Sequence, residues 1–552
     1  MTFHDQVIYQ IYPKSFYDSD GDGLGDIRGI IQKIPYIASL GVDMVWLNPF
    51  FASPERDNGY DISDYYCINP AMGSMDDVDE LIAGLKAQGI SLMFDMVFNH
   101  VSTEHDWFQR ALAGDQHYQD YFYIRPAQAD GSLPTNWQSK FGGPAWAPFG
   151  QSDSYYLCLY DTSQADLNWH NKQLRQELYR VANFWLDRGV RGLRFDVLNV
   201  IGKDELLVDA PDGVIDKTLY TDTPQVHTWV KELNRASFGP RQGTITVGEM
   251  SSTTIAEAIK YTNPEQKELD MVFNFHHLKV DYDQGQKWSD VPFDFMEFKK
   301  ILNDWALGMQ EGGGWNALFL NNHDQPRAIN RFADPHRYRV ESATMLAAMI
   351  HLHRGTPFIY MGEELGMIDP DYQSIADYRD VEARNAYREL TQQGYSPDAA
   401  FKIVRSKARD NSRTPMQWDQ SPQAGFTSGQ PWLGLAPYQG INLAAEEASG
   451  KILPFYRRLI QLRKQLQVIS EGTYRPYLLE DPAVYAYTRE YKNENLLVIN
   501  NFFGVETELS VPQEFVDGQV LISNYDGVEL NQNMKLAPYQ TLAIFKRKEV
   551  QS

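Results

Sequence analysis

The sequence predicts an α/β protein: a (β/α)8 TIM barrel with an inserted subdomain after its third strand, followed by a C-terminal antiparallel β-domain. Three observations lead there. The chain has 552 residues, more than a single hydrophobic core serves, so one large domain with smaller companions is expected. Eight short runs rich in β-branched and aromatic residues recur with helical patterns between them, and that alternation favours a closed parallel barrel. Their uneven spacing marks where extra segments enter.

In order, the strands are VIYQIYP from residue 7, VDMVWLNPF from 42, SLMFDMVFNH from 91, GLRFDV from 192, TITVGEM from 244, MVFNF from 271, NALFLNN from 316 and TPFIYMGEE from 356. DVDELIAGLKAQG follows the second and LRQELYRVANFWLDRG precedes the fourth; both have helical periodicity and end on a glycine suited to a C-cap. The barrel begins over residues 1–100. Residues 101–168, rich in Gly, Pro, Trp and Tyr, far exceed a βα loop of ~2–6 residues and form the inserted subdomain. The barrel resumes over 169–469, and alternating strands such as VYAYTREYKNENLLVINNFF build the β-domain at 470–552.

The balance of 50 basic and 73 acidic residues leaves a net charge of −23, which disfavours nucleic acid or an anionic membrane as partner. An anionic ligand would need a locally basic pocket. Cys67 and Cys158 are too few for a disulfide framework and read as buried thiols. No leader pattern and no run of ~18 apolar residues occurs. A cytoplasmic monomer with a small-molecule substrate and no organic cofactor is expected.

GLRFDV places Arg194 and Asp196 two residues apart in an apolar strand, so the charges share a face. In such barrels catalytic groups sit at the C-terminal strand ends, where Asp196, Glu249 and Asp324 would meet with Arg194, His100 and His323. Three converging carboxylates, without a Cys/His metal set or a phosphate-binding glycine loop, suit glycoside hydrolysis. An arginine beside the nucleophile keeps it ionised, and a less charged setting keeps the acid protonated.

DMVFNH, GLRFDV, VGEM and NNHDQP, with QADLNW in the insertion, resemble in order and spacing the motifs of the α-amylase superfamily of retaining glycoside hydrolases. The resemblance implies Asp196 as nucleophile, Glu249 as acid/base and Asp324 as the carboxylate that grips sugar hydroxyls. It implies Arg194, His100 and His323 as contacts to the same sugar and Tyr60 as its stacking platform. RDNGYDISDY and ARDNSRTPMQWD resemble the segments from which exo-acting α-glucosidases pair an aspartate and an arginine behind the terminal glucose, here Asp57 and Arg409.

Val197 after the nucleophile accompanies, in this group, action on α-1,6 linkages or on trehalose 6-phosphate. VGEMSSTT and FNFHHLKVDYDQGQKW resemble the trehalose-6-phosphate hydrolases; oligo-1,6-glucosidases acting on isomalto-oligosaccharides are the alternative. Lys279 and Lys287 supply cations for a phosphate, although in the 1,6-glucosidases a lysine matching Lys287, with a glutamate matching Glu382, contacts a neutral sugar. The segment DGVIDKTLYTD carries only Lys217 where many phosphate-ester relatives have an arginine pair.

DSDGDGLGD sets acidic residues at alternating positions among glycines, a spacing suited to a hard cation such as Ca²⁺, without the flanking helices or twelfth-position Glu of an EF-hand. Relatives hold a structural Ca²⁺ in such a loop, implying Asp18, Asp20, Asp22, the Leu24 carbonyl and Asp26 as ligands; a metal-free Asp/Gly turn is the alternative.

Overall fold

The computed structural model describes residues 3–211 and 213–548. Residues 1–2 and 549–552, the outer ends of the first and last predicted segments, and Asp212 of the DGVIDKTLYTD segment lie outside the described residues.

All eight runs form parallel strands: β1 (Ile8–Ile11), β2 (Met44–Leu47), β3 (Ser91–Met96), β4 (Gly192–Phe195), β5 (Ile245–Glu249), β6 (Met271–Phe273), β7 (Ala317–Leu318) and β8 (Thr356–Tyr360). Their neighbours follow chain order, β1 pairs with β8, and a parallel bridge between Val272 and Asn316 joins β6 to β7. The barrel is therefore closed. β1, β2, β4, β5 and β8 are buried throughout, as expected of strands covered on both faces. β7 is shorter than its apolar run suggests, because the chain leaves the ladder before Phe319 and the following NNHD residues turn into the site.

Local signals set the helix ends. Ser74 caps the helix Met75–Ala87 through a capping box with Asp77. The helix Lys172–Arg188 starts at Asn171, whose side chain accepts from the amides of Gln173 and Leu174, and stops at Gly189 with φ of 118°, a left-handed value that favours glycine.

The insertion leaves and re-enters the rim at adjacent points, since His100–Ser102 pairs antiparallel with Gln164–Asp166. Between them Ile124–Pro126, Trp146–Pro148 and Ser154–Leu157 form a small antiparallel sheet. Its buried Cys158 agrees with the sequence reading, whereas Cys67, on the strand Asp64–Ile68, is exposed. Burial along that strand does not alternate: Tyr65 and Ile68 are buried while Tyr66 and Cys67 both face solvent, and its pairing with Phe51–Ala52 shifts register.

The C-terminal sheet is antiparallel in the order β9 (Thr473–Tyr477), β10 (Val484–Tyr491), β11 (Glu494–Asn501), β13 (Thr541–Arg547), β12 (Gln519–Ser523). Tyr487 and Arg489 on β10 donate to the carbonyls of Met349 and Leu352 on the barrel side. Among the described residues no helix is long and apolar enough to cross a membrane.

Candidate active site

The β3–β4 register sets Asp95 opposite Arg194. Arg194 is buried and its Nη1 donates to Asp95 Oδ1 and to Asp196 Oδ1, both at 2.6 Å, while Nη2 meets Glu249 Oε2 from the end of β5. Arg194 and Asp196 thus belong to a four-member cluster. Immediately after Asp196, Val197 has φ of 35°. A β-branched residue in that region is strained by about 1–3 kcal/mol, a feature that clusters at functional sites.

All three predicted carboxylates, and every predicted sugar contact except Arg194 and His323, line one cavity of about 230 Å³. That is below the ~300–1,000 Å³ of ordinary small-molecule sites. Arg194 and His323 lie behind its wall. Tyr60 stacks on His323, with ring centroids 5.3 Å apart, and its hydroxyl meets Asp95 Oδ2 at 2.9 Å and His323 Nε2 at 2.7 Å. Burial pushes His100 down to about 4 and His323 down to about 3, so both are neutral at pH 7. Gln10 Nε2 donates to His323 Nδ1, leaving the Nε2 hydrogen to face Tyr60 and, at 3.2 Å, Asp324.

The carboxylates are driven apart in pKa. Burial raises Glu249 to about 8; Arg194 opposes this, and the charges of Asp196 and Asp324 add to it. Burial also lifts Asp196, to about 6, against the pull of Arg194. Asp324 falls well below the usual range: burial opposes its ionisation, but His323, Arg409 and Arg413 outweigh it. The sequence reading gave the acid a less charged setting and Arg194 to the nucleophile alone. Instead Arg194 touches both, and burial with two neighbouring negative charges holds the proton on Glu249. The Glu249 and Asp196 carboxyls both reach the one guanidinium of Arg194, so a protonated Glu249 stands beside an ionised Asp196.

The Asp57–Arg409 pair forms as predicted, at 3.1 Å, but Arg409 is shared. It also meets Asp380 at 2.5 Å, Asp324 at 3.4 Å and Glu382 at 3.4 Å. Arg413 reaches Asp324 at 2.8 Å, and Lys287 meets Glu382 at 2.7 Å. Three cations therefore serve four carboxylates, and burial raises Asp57 to about 7. Gln164, brought to the rim by the returning strand, donates to Asp57 Oδ2 at 3.0 Å.

Asp95, Asp380, Arg413 and Lys140 are site residues that sequence reasoning left unassigned. Arg413 lies four residues beyond Arg409 in the same quoted segment, and Asp380 caps the helix Val381–Gln392 just before Glu382, so both had a local signal. Lys140 had none. It lines the cavity with Lys279, which among the described residues has no carboxylate within ion-pair distance and which burial lowers to about 8.

In the first loop the carboxylates of Asp18, Asp20 and Asp22 bring ligand oxygens within 4.8 Å of one another. Asp26 stands outside that group: its oxygens accept from Ser19 and from the amide of Gly29, capping the helix Ile27–Gln32. Asp18 already accepts the amides of Asp20, Gly21 and Gly23, yet among the described residues no ion pair neutralises the three acids. An oxygen-only set of this kind fits a hard cation.

The sequence description of the alpha amylase catalytic domain matches residues 10–472, and that of the alpha-amylase SusG C-terminal domain matches 484–542. The chain belongs to the alpha-amylase family. Within the family it is similar to the trehalose-6-phosphate hydrolase of Bacillus subtilis (strain 168), 47% identical over 97% of this chain and 96% of the relative. It is also similar to the oligo-1,6-glucosidase of Parageobacillus thermoglucosidasius, 45% identical over 97% of each chain. The crystal structure of Bacillus licheniformis trehalose-6-phosphate hydrolase superposes with a TM-score of 0.94 at 47% identity, over 99% of this chain and all of that one.

Proposed function

We propose that the protein hydrolyses α,α-trehalose 6-phosphate to glucose and glucose 6-phosphate with retention at the anomeric carbon. Asp196 attacks that carbon while Glu249 gives its proton to the leaving oxygen, forming a glucosyl-Asp196 ester. Water then attacks the ester, Glu249 as carboxylate takes its proton, and Asp196 leaves. That both carboxyls reach one guanidinium supports the close spacing of a retaining enzyme over the ~6.5–9.5 Å gap that an inverting enzyme needs for water. Asp324, ionised throughout, supports distortion of the ring, and the Asp57–Arg409 pair supports exo action by ending the pocket.

The observation that carries this substrate over a neutral disaccharide is Lys279. It is a half-buried cation in the catalytic cavity with no carboxylate partner among the described residues, in a chain of net charge −23. Lys287 does not discriminate, because Glu382 neutralises it. Turnover of trehalose 6-phosphate and isomaltose by the same preparation tests the reading; faster hydrolysis of isomaltose would replace it with the 1,6-glucosidase alternative.

A structural Ca²⁺ at Asp18, Asp20 and Asp22, a cytoplasmic location and a monomeric state complete the proposal. The clustered acids support the first; that no helix among the described residues is long and apolar enough to cross a membrane is compatible with the second.

A further inference from the structure

Resting on the phosphorylated-disaccharide reading, the geometry points to Lys140 of the inserted subdomain as a second specificity-determining cation, which with Lys279 receives the phosphate dianion of the leaving sugar. Lys140 Nζ donates to Ser251 Oγ at 2.7 Å. Ser251 follows Glu249 by two residues and lines the same cavity. Because the acid protonates the oxygen that departs, a group anchored to the Glu249 loop stands on the leaving-group side. The two lysines come from separate segments, the insertion and the loop after β6, and line one cavity.

Neither Lys140 nor Lys279 has a carboxylate within ion-pair distance among the described residues, whereas Lys287, in the same cavity, does. Lys140 instead lies over the rings of Tyr160 and Tyr220, at 5.4 and 5.6 Å. Half-buried like charges without counter-ions are costly, and Lys217 and Lys279 repel Lys140. A ligand with two negative charges and three acceptor oxygens relieves that repulsion. Burial, reinforced by Lys217 and Lys279, brings Lys140 down to about 7, so its charge is available on demand.

A lysine that merely covered Tyr160 and Tyr220 could be replaced by methionine without changing substrate preference. The test therefore compares kcat/KM on trehalose 6-phosphate and on isomaltose for the wild type, Lys140→Met and Lys140→Arg. Inorganic phosphate is the competing ligand, with p-nitrophenyl α-glucoside as reporter. Lys140→Met should lower the ratio of the two kcat/KM values about tenfold or more, mainly through KM, as expected for one charge-assisted hydrogen bond. It should weaken phosphate inhibition in parallel.

Lys140→Arg should restore most of the ratio and flatten the rise in KM for the phosphorylated sugar between pH 7 and 9. Equal losses on both sugars, or an arginine variant that behaves like methionine, would overturn the assignment. Wild-type preference for isomaltose would overturn the substrate reading instead, and phosphate inhibition that still depends on Lys140 would then keep the anion site.

Discussion

Replacing Glu249 by glutamine separates the protonated acid from its carboxylate form at nearly constant shape. With its pKa at about 8, the side chain is about 90% protonated at pH 7, against about 0.3% for an unperturbed glutamic acid at 4.5, so the site supplies roughly a 300-fold gain in competent acid. Glu249→Gln should lower kcat on a disaccharide by about 10²–10⁴-fold, the usual worth of a general acid. The loss in the first step should be much smaller with 2,4-dinitrophenyl α-glucoside, whose leaving group needs no proton. Stability gives an independent readout. Glu249 has a folded pKa above its unfolded value, so its contribution is fully present below about pH 4.5 and is lost as pH rises through about 8. A shift of this size corresponds to at most about 5 kcal/mol at pH 9, at 1.36 kcal/mol per pH unit, and coupling to Asp196 reduces it to a few. For a chain of this length that is roughly 2–4 °C in Tm. Thermal melts of Glu249→Gln and wild type should coincide near pH 5 and separate by pH 9, with the variant higher. Equal melts at both pH values would refute the account of burial and neighbouring charge as the holder of the proton.

Lys279→Ala should raise KM for trehalose 6-phosphate about tenfold or more, with a smaller effect on p-nitrophenyl α-glucoside; equal effects in steady-state assays would remove its phosphate role. Arg409→Leu leaves Asp57 and Asp380 buried without their cation, a loss of about 3–5 kcal/mol. It should lower Tm and kcat/KM together, and an unchanged Tm would contradict the shared-charge description. Removal of Ca²⁺ with EGTA should lower Tm by a few degrees and leave kcat at 25 °C within about twofold, since a ligand bound only to the folded state adds stability by mass action. Asp20→Ala should abolish that response in calorimetry. The pH profile of kcat/KM should be bell-shaped, limited by Asp196 at about 6 and Glu249 at about 8, and a plateau extending beyond pH 9 would exclude Glu249 as the acid.

Local sequence decided the elements: which eight runs are strands, where Ser74 and Gly189 bound helices, and that Arg194 and Asp196 share a face. It also picked out segments that meet at one cavity, because residue type and spacing survive as short motifs along one chain. What it did not carry were relations across the chain. Only the β3–β4 register brings Asp95 to Arg194, only packing gives Arg409 to four carboxylates, and only the return of the insertion brings Lys140 to Ser251. Asp26 shows the same limit in reverse, since a residue spaced like a metal ligand serves as a helix cap once the chain turns. The physical reason is that periodicity encodes which face a side chain takes. Charge state depends on distance and desolvation, and both are set by contacts between residues hundreds of positions apart.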